Sequence, residues 1–394
     1  MAGPIVADGA VVLHNGTIAA VGRFGELVGA YPGAHLVDHP GCVLMPGLIN
    51  AHIHLELSNL AHLGQGDPAE SFTGWIAEML GEREALGFTG THVEEAARTV
   101  LQAQYDSGVL ALADIGNTGV AAQLVNAFPG LLFPFLEYLG LTRGSLVPAL
   151  KKLEKADDTI ACTAHAPYST HPELIRALKK RADRLDCLFP IHVAEPASEN
   201  SMLTSGRGEM ADFLRERGFY EDVFTWAGID IAGSVQYLHS LGVLNSRTLC
   251  VHAIHVSEDE ISLLSQSKAN VCLCPGSNRF LQVGRAPVAA YLRQGVLPAL
   301  GTDSAASNPE LSIWREMQLL AEDHPEVDPC DILRMATAGG AAALGIEQEY
   351  GTLGPGRPGR FLAVAMPEDI HKEQELCAAL VDGGSSMHVQ WVSS

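Results

Sequence analysis

Six side chains able to bind a metal or move a proton stand at the ends of four apolar runs. They are His52 and His54 in PGLINAHIHLELS, His192 and Glu195 in LFPIHVAEP, His252 in LCVHAIH, and Asp303 in LPALGTDSAASN. Two apart on one strand, His52 and His54 face the same way, and neutral imidazoles at that spacing reach one ion at ~2.0–2.1 Å. A lone His pair is as well explained by structure. A third nitrogen from His192 and an oxygen from Asp303 make an open set that leaves a position for water, as a catalytic metal site requires. Glu195, three residues beyond His192, is too far along its loop to join that set comfortably. It is placed to carry protons between the water and a substrate; the plain alternative is a carboxylate favoured at a helix N-terminus. His252 would polarise or deprotonate the water from the other side. His255, in the same segment, offers the same chemistry farther along the loop, and an exchange of roles would make it the indispensable one. The chemistry implied is metal-dependent hydrolysis.

Apolar strand candidates end near Asn50, Asp114, Phe135, Thr163, Ile191, Val251, Cys274 and Leu300, and helix-period segments lie between them, as over residues 91–107, 172–185 and 257–267. Eight βα units over ~300 residues imply a (β/α)8 TIM-type barrel. A doubly wound open sheet is the competing architecture, but its ligand would sit at one switch point rather than draw groups from strands one, five, six and eight. Residues 1–46 and those from 350 onward read instead as short strands with turn signals, so the expected division is a barrel over 47–349 beside a small β-sandwich domain built from 1–46 and 350–394. GPGRPG matches G-x-G-x-x-G in form, yet it holds two prolines and precedes a strand, so it is not a dinucleotide site.

The chain has 394 residues, 47% hydrophobic and 18% charged, with a formal net charge of −21 and no basic cluster. That balance argues against nucleic acid and anionic membranes as partners, with plain solubility as its simplest reading; the expected partner, a small-molecule substrate, follows from the metal and acid/base groups instead. The N-terminal stretch has no positive n-region, and no apolar run approaches the ~18 residues that span a bilayer. Eight cysteines lie scattered without CxxC pairs or disulfide-like spacing, which predicts free buried thiols and a cytoplasmic protein. His62, His92, His171, His239 and His324 read as structural or solvent-facing. A homodimer would suit a barrel, though no segment marks an interface.

PGLINAHIHLELS, HVAE, VHAIHVSEDEISLLSQSKANVCLCPGSN and LGTDSAASN together resemble the amidohydrolase superfamily, in its cytosine/adenosine deaminase and chlorohydrolase branch. The likeness extends over nearly the whole chain. It implies one zinc or iron(II) ion on His52, His54, His192 and Asp303, with Glu195 and His252 as the family's strand-five glutamate and strand-six histidine. Members with two metals carry a modified lysine after strand four; ACTAHAPYST has none, so one metal is expected. His165 takes the place of the family's substrate-contacting histidine, with a turn histidine satisfied by backbone as the alternative. Ser277 and Asn278 correspond to an SN that similar enzymes keep by the pocket. Arg279, which follows, could hold a carboxylate or sugar hydroxyl, and Glu137 after strand three is a further pocket candidate. Two features depart from the family pattern. Most of the strand that usually precedes VADGAVVL is lacking, so the start is truncated or the small domain is one strand poorer. The acidic residue usual after the C-terminal PG turn is replaced in GRPGRFLAV.

The resemblance further implies hydrolytic deamination. The metal acidifies its water, Asp303 and His252 take the proton, and Glu195 protonates the ring nitrogen and then the departing ammonia. HIHLELSNL, TGWIAEMLGERE, HVAEPASENSML and GRGEMADFL resemble the subgroup acting on aminodeoxyfutalosine, an adenine nucleoside of the alternative menaquinone pathway that bears a benzoate. Arg279 or Arg143 would supply the cation for that anion. S-adenosylhomocysteine, methylthioadenosine and adenosine stand next, then guanine, cytosine, triazine or cyclic-amide substrates. A binding protein with a vestigial barrel is the non-enzymatic alternative, disfavoured by the intact set of six cooperating groups.

Overall fold

In the computed structural model, residues 5–224, 231–366, 370, 372–386 and 388–393 are described. The N-terminal strands β1 (Gly9–His14) and β2 (Thr17–Arg23) form a hairpin around Asn15 and Gly16. Both turn residues have left-handed φ (49° and 78°), the backbone that a two-residue Asn-Gly turn favours. After β3 (Cys42–Pro46) come eight strands that carry the site: β4 (Leu48–Ile53), β5 (Val109–Gly116), β6 (Leu131–Tyr138), β7 (Ala161–Ala164), β8 (Phe189–Val193), β9 (Thr248–His252), β10 (Asn270–Leu273) and β11 (Ala299–Leu300). The chain ends with β12 (Arg360–Ala365) and β13 (Val389–Ser393).

The eight central strands make two parallel four-stranded sheets, each in chain order, β4-β5-β6-β7 and β8-β9-β10-β11. Every residue of β4, β5, β8 and β9 is buried, which explains why these strands are mainly apolar on both faces. The sheets meet at two seams. His192 N–H donates to the His165 carbonyl (2.9 Å) between β8 and the end of β7. At the other seam Ile53 and Asp303 form a parallel bridge, and Thr302 N–H donates to the His52 carbonyl (3.0 Å). Neighbours in space are neighbours in sequence throughout, so no switch point exists within either sheet and the doubly wound alternative fails. The fold is α/β, of TIM-barrel type.

Connecting helices follow sequence cues. Val93, Ala97, Leu101 and Gln104 form the buried stripe of Thr91–Asp106. Ser257 and Glu260 form a capping box at the start of Glu258–Ser267, and His171 caps Pro172–Arg184 by accepting from Glu173 N–H.

The two chain ends meet. β12 pairs antiparallel with β3 (Phe361 opposite Pro46, Ala365 opposite Cys42) and with β13, while Gly359 N–H donates to the Gly16 carbonyl of the hairpin (2.8 Å). Trp391 stacks on Tyr105 at 5.0 Å, fastening this sheet to the helix Thr91–Asp106. GPGRPG is a turn leading into β12. The strand expected before VADGAVVL would fall on residues 1–4 and upstream, outside the described residues. One cysteine expectation is corrected. Cys330 and Cys377 form a disulfide between the helices Pro329–Arg334 and Glu373–Asp382, because packing brings together thiols 47 residues apart that no local spacing announces. The other six are free thiols. Among the described residues no helix is long and apolar enough to cross a membrane.

Candidate active site

β4 delivers His52 and His54 to the end of the strands, and β8 delivers His192. Asp303 stands three residues beyond β11 on the bridge to Ile53. The register of this seam is pinned by Asn50, whose amide donates to Thr302 Oγ1 (2.8 Å) and whose Oδ1 accepts from Thr302 N–H (3.1 Å). The pin lies two residues before His52 and one before Asp303. Asp303, His252 and Ala194 adopt left-handed φ of 58°, 69° and 53°, a conformation costing ~1–3 kcal/mol that persists where surrounding structure enforces it, often at functional sites.

Four ligating atoms converge. His54 Nε2 is 3.2 Å from His192 Nε2, which is 3.3 Å from His52 Nε2; His52 and His54 Nε2 each lie 3.5 Å from Asp303 Oδ1. Nδ1 of His54 faces the Ile115 carbonyl (2.7 Å) and Nδ1 of His192 the His165 carbonyl (3.0 Å), so each carries its proton there. Two Nε2 lone pairs therefore face each other with no proton between them, an arrangement that a Lewis acid satisfies and a hydrogen bond does not. Donors ~2.0–2.1 Å from a common tetrahedral ion lie about 3.3 Å apart, which these separations match. The residues fit a single divalent cation.

Burial keeps the imidazoles in their neutral, ligating form: it lowers His52 to about 4 and drives His192 well below its ordinary value. Burial works to raise the Asp303 carboxyl, but the hydrogen bond from His52 and the surrounding histidines hold it well below the carboxylate range. Ser277 Oγ donates to Asp303 Oδ2 (2.6 Å) and Ser304 N–H to Oδ1 (2.8 Å), fixing both oxygens.

Beside this set, His252 Nε2 is 3.5 Å from Glu195 Oε1 and 3.9 Å from Asp303 Oδ2. Its Nδ1 faces Asn278 Oδ1 (3.1 Å), which leaves the Nε2 lone pair directed at the two carboxylates. Glu195 is pushed well above the usual carboxyl range by burial, then by Asp303 and Glu199. A protonated Glu195 beside an unprotonated His252 is an acid and a base poised together. His255 is turned away, its Nε2 on the Val283 carbonyl (2.7 Å).

These groups close the inner end of a cavity of about 450 Å3, whose outer wall is apolar: Phe72, Trp75, Ile76, Met79, Met210, Phe213, Leu214 and Leu281. Glu137 and His165 line it. Glu137 Oε1 has no hydrogen-bond partner and lies 3.8 Å from His192 Nδ1; burial, then Glu56, raises its carboxyl well above the usual range. His165 Nδ1 bonds Ser169 Oγ (2.6 Å), and burial lowers the ring to about 3.

The three residues of the SNR run do not line the cavity. Ser277 and Asn278 are buried behind it, supporting Asp303 and His252 rather than touching a substrate. Arg279 is spent on Glu322 (2.7 Å), Asp323 (3.0 Å) and the Leu319 carbonyl (3.0 Å). The segment Pro275–Phe280 is helical, not a loop, so Arg279 points about 200° around the axis from Ser277. Arg143 likewise does not line the cavity; its Nε is 3.5 Å from Glu221 at the surface.

Sequence reasoning missed Glu56 and Arg83. Their side chains pair at 2.8 Å in the cavity wall, and Glu56 Oε2 also accepts from Asn117 N–H (2.9 Å), Thr118 N–H (2.8 Å) and Thr118 Oγ1 (2.6 Å). The available signal was Glu56 itself, a carboxylate two residues beyond His54 in an otherwise apolar LEL run.

The chain belongs to the amidohydrolase family, whose model matches residues 43–390, and it is a hydrolase acting on C–N bonds; residues 9–34 match an imidazolonepropionase-like composite domain of bacteria. Among its relatives is the 5-methylthioadenosine/S-adenosylhomocysteine deaminase of Nitratidesulfovibrio vulgaris (strain DP4), 31% identical over 91% of this chain and 79% of that protein. The aminodeoxyfutalosine deaminase of Deinococcus radiodurans is 30% identical over 86% of this chain and 81% of its own length. A zinc-bound adenosine deaminase from Xanthomonas campestris superposes with a TM-score of 0.75 at 25% identity, covering 95% of this chain and 84% of that one.

Proposed function

We propose that this protein hydrolytically deaminates the adenine ring of a nucleoside, releasing ammonia, and that aminodeoxyfutalosine is its substrate, in menaquinone biosynthesis. The observation that carries the reading is the meeting of His52, His54, His192 and Asp303 with Glu195 and His252 at the closed end of an apolar cavity. Both named relatives are adenine-nucleoside deaminases. Methylthioadenosine and S-adenosylhomocysteine are the second reading, favoured by the several relatives that carry that name.

His52, His54, His192 and Asp303 would hold one zinc or iron(II) ion, whose Lewis acidity makes water a nucleophile near neutral pH. His252 Nε2 and Asp303 take up the proton lost by the attacking water. Glu195 gives its carboxyl proton to the ring nitrogen next to the amino-bearing carbon, takes the hydroxyl proton from the attacked carbon and passes it to the leaving nitrogen, and is recharged by the proton held on His252 or Asp303. Adenine ring and water thus become hypoxanthine ring and ammonia, with no change of oxidation state. Glu137 and His165 are the polar wall against which the nucleoside lies. The same proposal includes the division at 46/47 and 349/350, a small β-sandwich formed by the paired ends, and a cytoplasmic enzyme acting on a small molecule, with no nucleic acid or membrane partner and a homodimer as its assembly.

The test is ammonia release and ultraviolet change from metal-loaded protein with aminodeoxyfutalosine, methylthioadenosine, S-adenosylhomocysteine and adenosine. Glu195→Gln should keep its metal and lose about two to four orders of magnitude in turnover. Wild-type rates in that variant would end the proposed mechanism.

A further inference from the structure

The cavity is electrically lopsided. The carboxylates that line it (Glu56, Glu137, Glu195 and Asp303) are all buried and belong to the closed end around the histidine cluster. Its guanidinium groups are Arg83 and Arg217. Arg83 is buried and committed to Glu56 at 2.8 Å. Arg217 is different. It is exposed, caps the helix Glu209–Glu216, and rests over the Phe213 ring at 4.8 Å, with no carboxylate paired to it among the described residues. Its neighbour Arg215 by contrast is paired to Asp212 at 2.8 Å. Around Arg217 the lining is aromatic and open: Phe213, and Phe219 with 58% of its surface exposed. Aromatic faces lining a cavity beside a guanidinium offer an aromatic ligand a place to stack.

From this we infer that Arg217 is a specificity-determining residue, which selects adenine nucleosides whose 5′ substituent is an aromatic body ending in a carboxylate. The inference rests on the adenine-nucleoside reading above. With the ring at the histidine cluster, the 5′ substituent runs along the apolar wall, its aromatic part reaching Phe213 and Phe219 and its anion reaching Arg217. A guanidinium holds a carboxylate through a planar pair of charge-assisted hydrogen bonds. An uncharged thioether tail would leave that cation unused. An amino-acid tail carries a carboxylate too, but with it an ammonium for which no exposed acidic residue lines the cavity among the described residues. The same β8 connection carries both Glu195 and Arg217, so reaction and selectivity reside on one stretch of chain.

The test compares aminodeoxyfutalosine with its methyl ester, substrates equal in shape and different in charge. Metal-loaded wild type should prefer the acid by about tenfold in kcat/KM, mainly through KM, with the preference shrinking as salt rises. Arg217→Ala should bring the acid-to-ester ratio near unity, Arg217→Glu should invert it, and Arg217→Lys should keep part of it. A ratio, unlike an absolute rate, is not moved by partial misfolding. Equal handling of acid and ester by wild type, or an undiminished ratio in Arg217→Ala, overturns the inference. Calorimetric binding of the deaminated acid and its ester separates the two claims. If wild type turns over no adenine nucleoside, the functional reading fails, while acid-selective binding lost in Arg217→Ala still supports the role of Arg217 and its absence refutes it.

Discussion

Gly301 is the point at which a single methyl group should disable metal binding. Its N–H donates to the Leu273 carbonyl (2.9 Å), and a Cβ built there would stand 2.8 Å from His52 Cβ and 2.9 Å from both His52 N and Cys272 Sγ. Carbon–carbon contacts are comfortable near 3.5–4.0 Å, so Gly301→Ala asks for a displacement of roughly 0.7 Å or more. Two of the three obstacles, His52 N and Cβ, are backbone and the base of a side chain and cannot swing aside, whatever the buried Cys272 thiol does. Relief by moving β11 is resisted by the Asn50–Thr302 hydrogen bonds, so the movement falls on His52. Metal–ligand distances tolerate about 0.2 Å, well below that displacement. Overpacking of this kind costs ~1–3 kcal/mol of folding stability. We therefore expect Gly301→Ala to fold with a melting temperature a few degrees lower and to lose at least tenfold in metal affinity. The assay is metal content by mass spectrometry after dialysis against a weak chelator, with the thermal shift on adding Zn2+ as a second readout. One equivalent of metal and an unshifted melting curve would refute the reasoning.

Gly81, inside the helix Phe72–Leu86, has nothing within 4 Å of an added Cβ, so Gly81→Ala should leave metal content alone and raise stability by up to ~1 kcal/mol in urea titration. Ser277→Ala removes the 2.6 Å support of Asp303 and should lower metal affinity or turnover by about 10–100-fold, and an unaffected variant would show that Ser304 N–H suffices. Burial raises Glu199 from 4.5 to about 7, so the folded protein holds that proton more tightly than the unfolded chain. The resulting stability is complete below about pH 4.5 and lost as pH rises toward 7, on the order of 3 kcal/mol. Metal-free wild type and Glu199→Gln, unfolded in urea across that window, should differ by this slope, and parallel curves would contradict it. Opening the Cys330–Cys377 bridge, which closes a 47-residue separation, should cost about 4 kcal/mol on the chain-entropy account. Thiol titration of the unfolded, unreduced protein should count six, and eight would rule the bridge out.

The eight central strands were legible because a strand buried on both faces is written as a continuous apolar run, and each expected end lies within three residues of the observed one. The convergence of His52, His54, His192 and Asp303 was legible for a related reason: these residues stand where such runs stop. What lay beyond local pattern was not. Arg279 was placed in the pocket by its position after an SN pair, but a single helical turn from Pro275 sends it to Asp323. Glu56 and Arg83 meet only because the helix Phe72–Leu86 lies across the end of β4, a placement no periodicity encodes. Cys330 and Cys377 likewise need two helices brought side by side. Ser277 and Asn278 were placed at the pocket as substrate contacts, but their partners are Asp303 and His252 rather than the cavity, and hydrogen-bond partners are not written in spacing.

The pairing of β3 with β12 has a consequence for synthesis. Cys42 leaves the ribosome long before Ala365, its partner, exists. At ~5–20 residues per second the interval is on the order of 15–60 s. Through that time β3 is an unpaired edge, open to wrong partners, tethered through Gly47 to the strand that bears His52 and leads to His54. Completion of this sheet thus waits on a segment made long after the strand that carries His52, and a nascent chain stalled before Arg360 would expose the β3 edge.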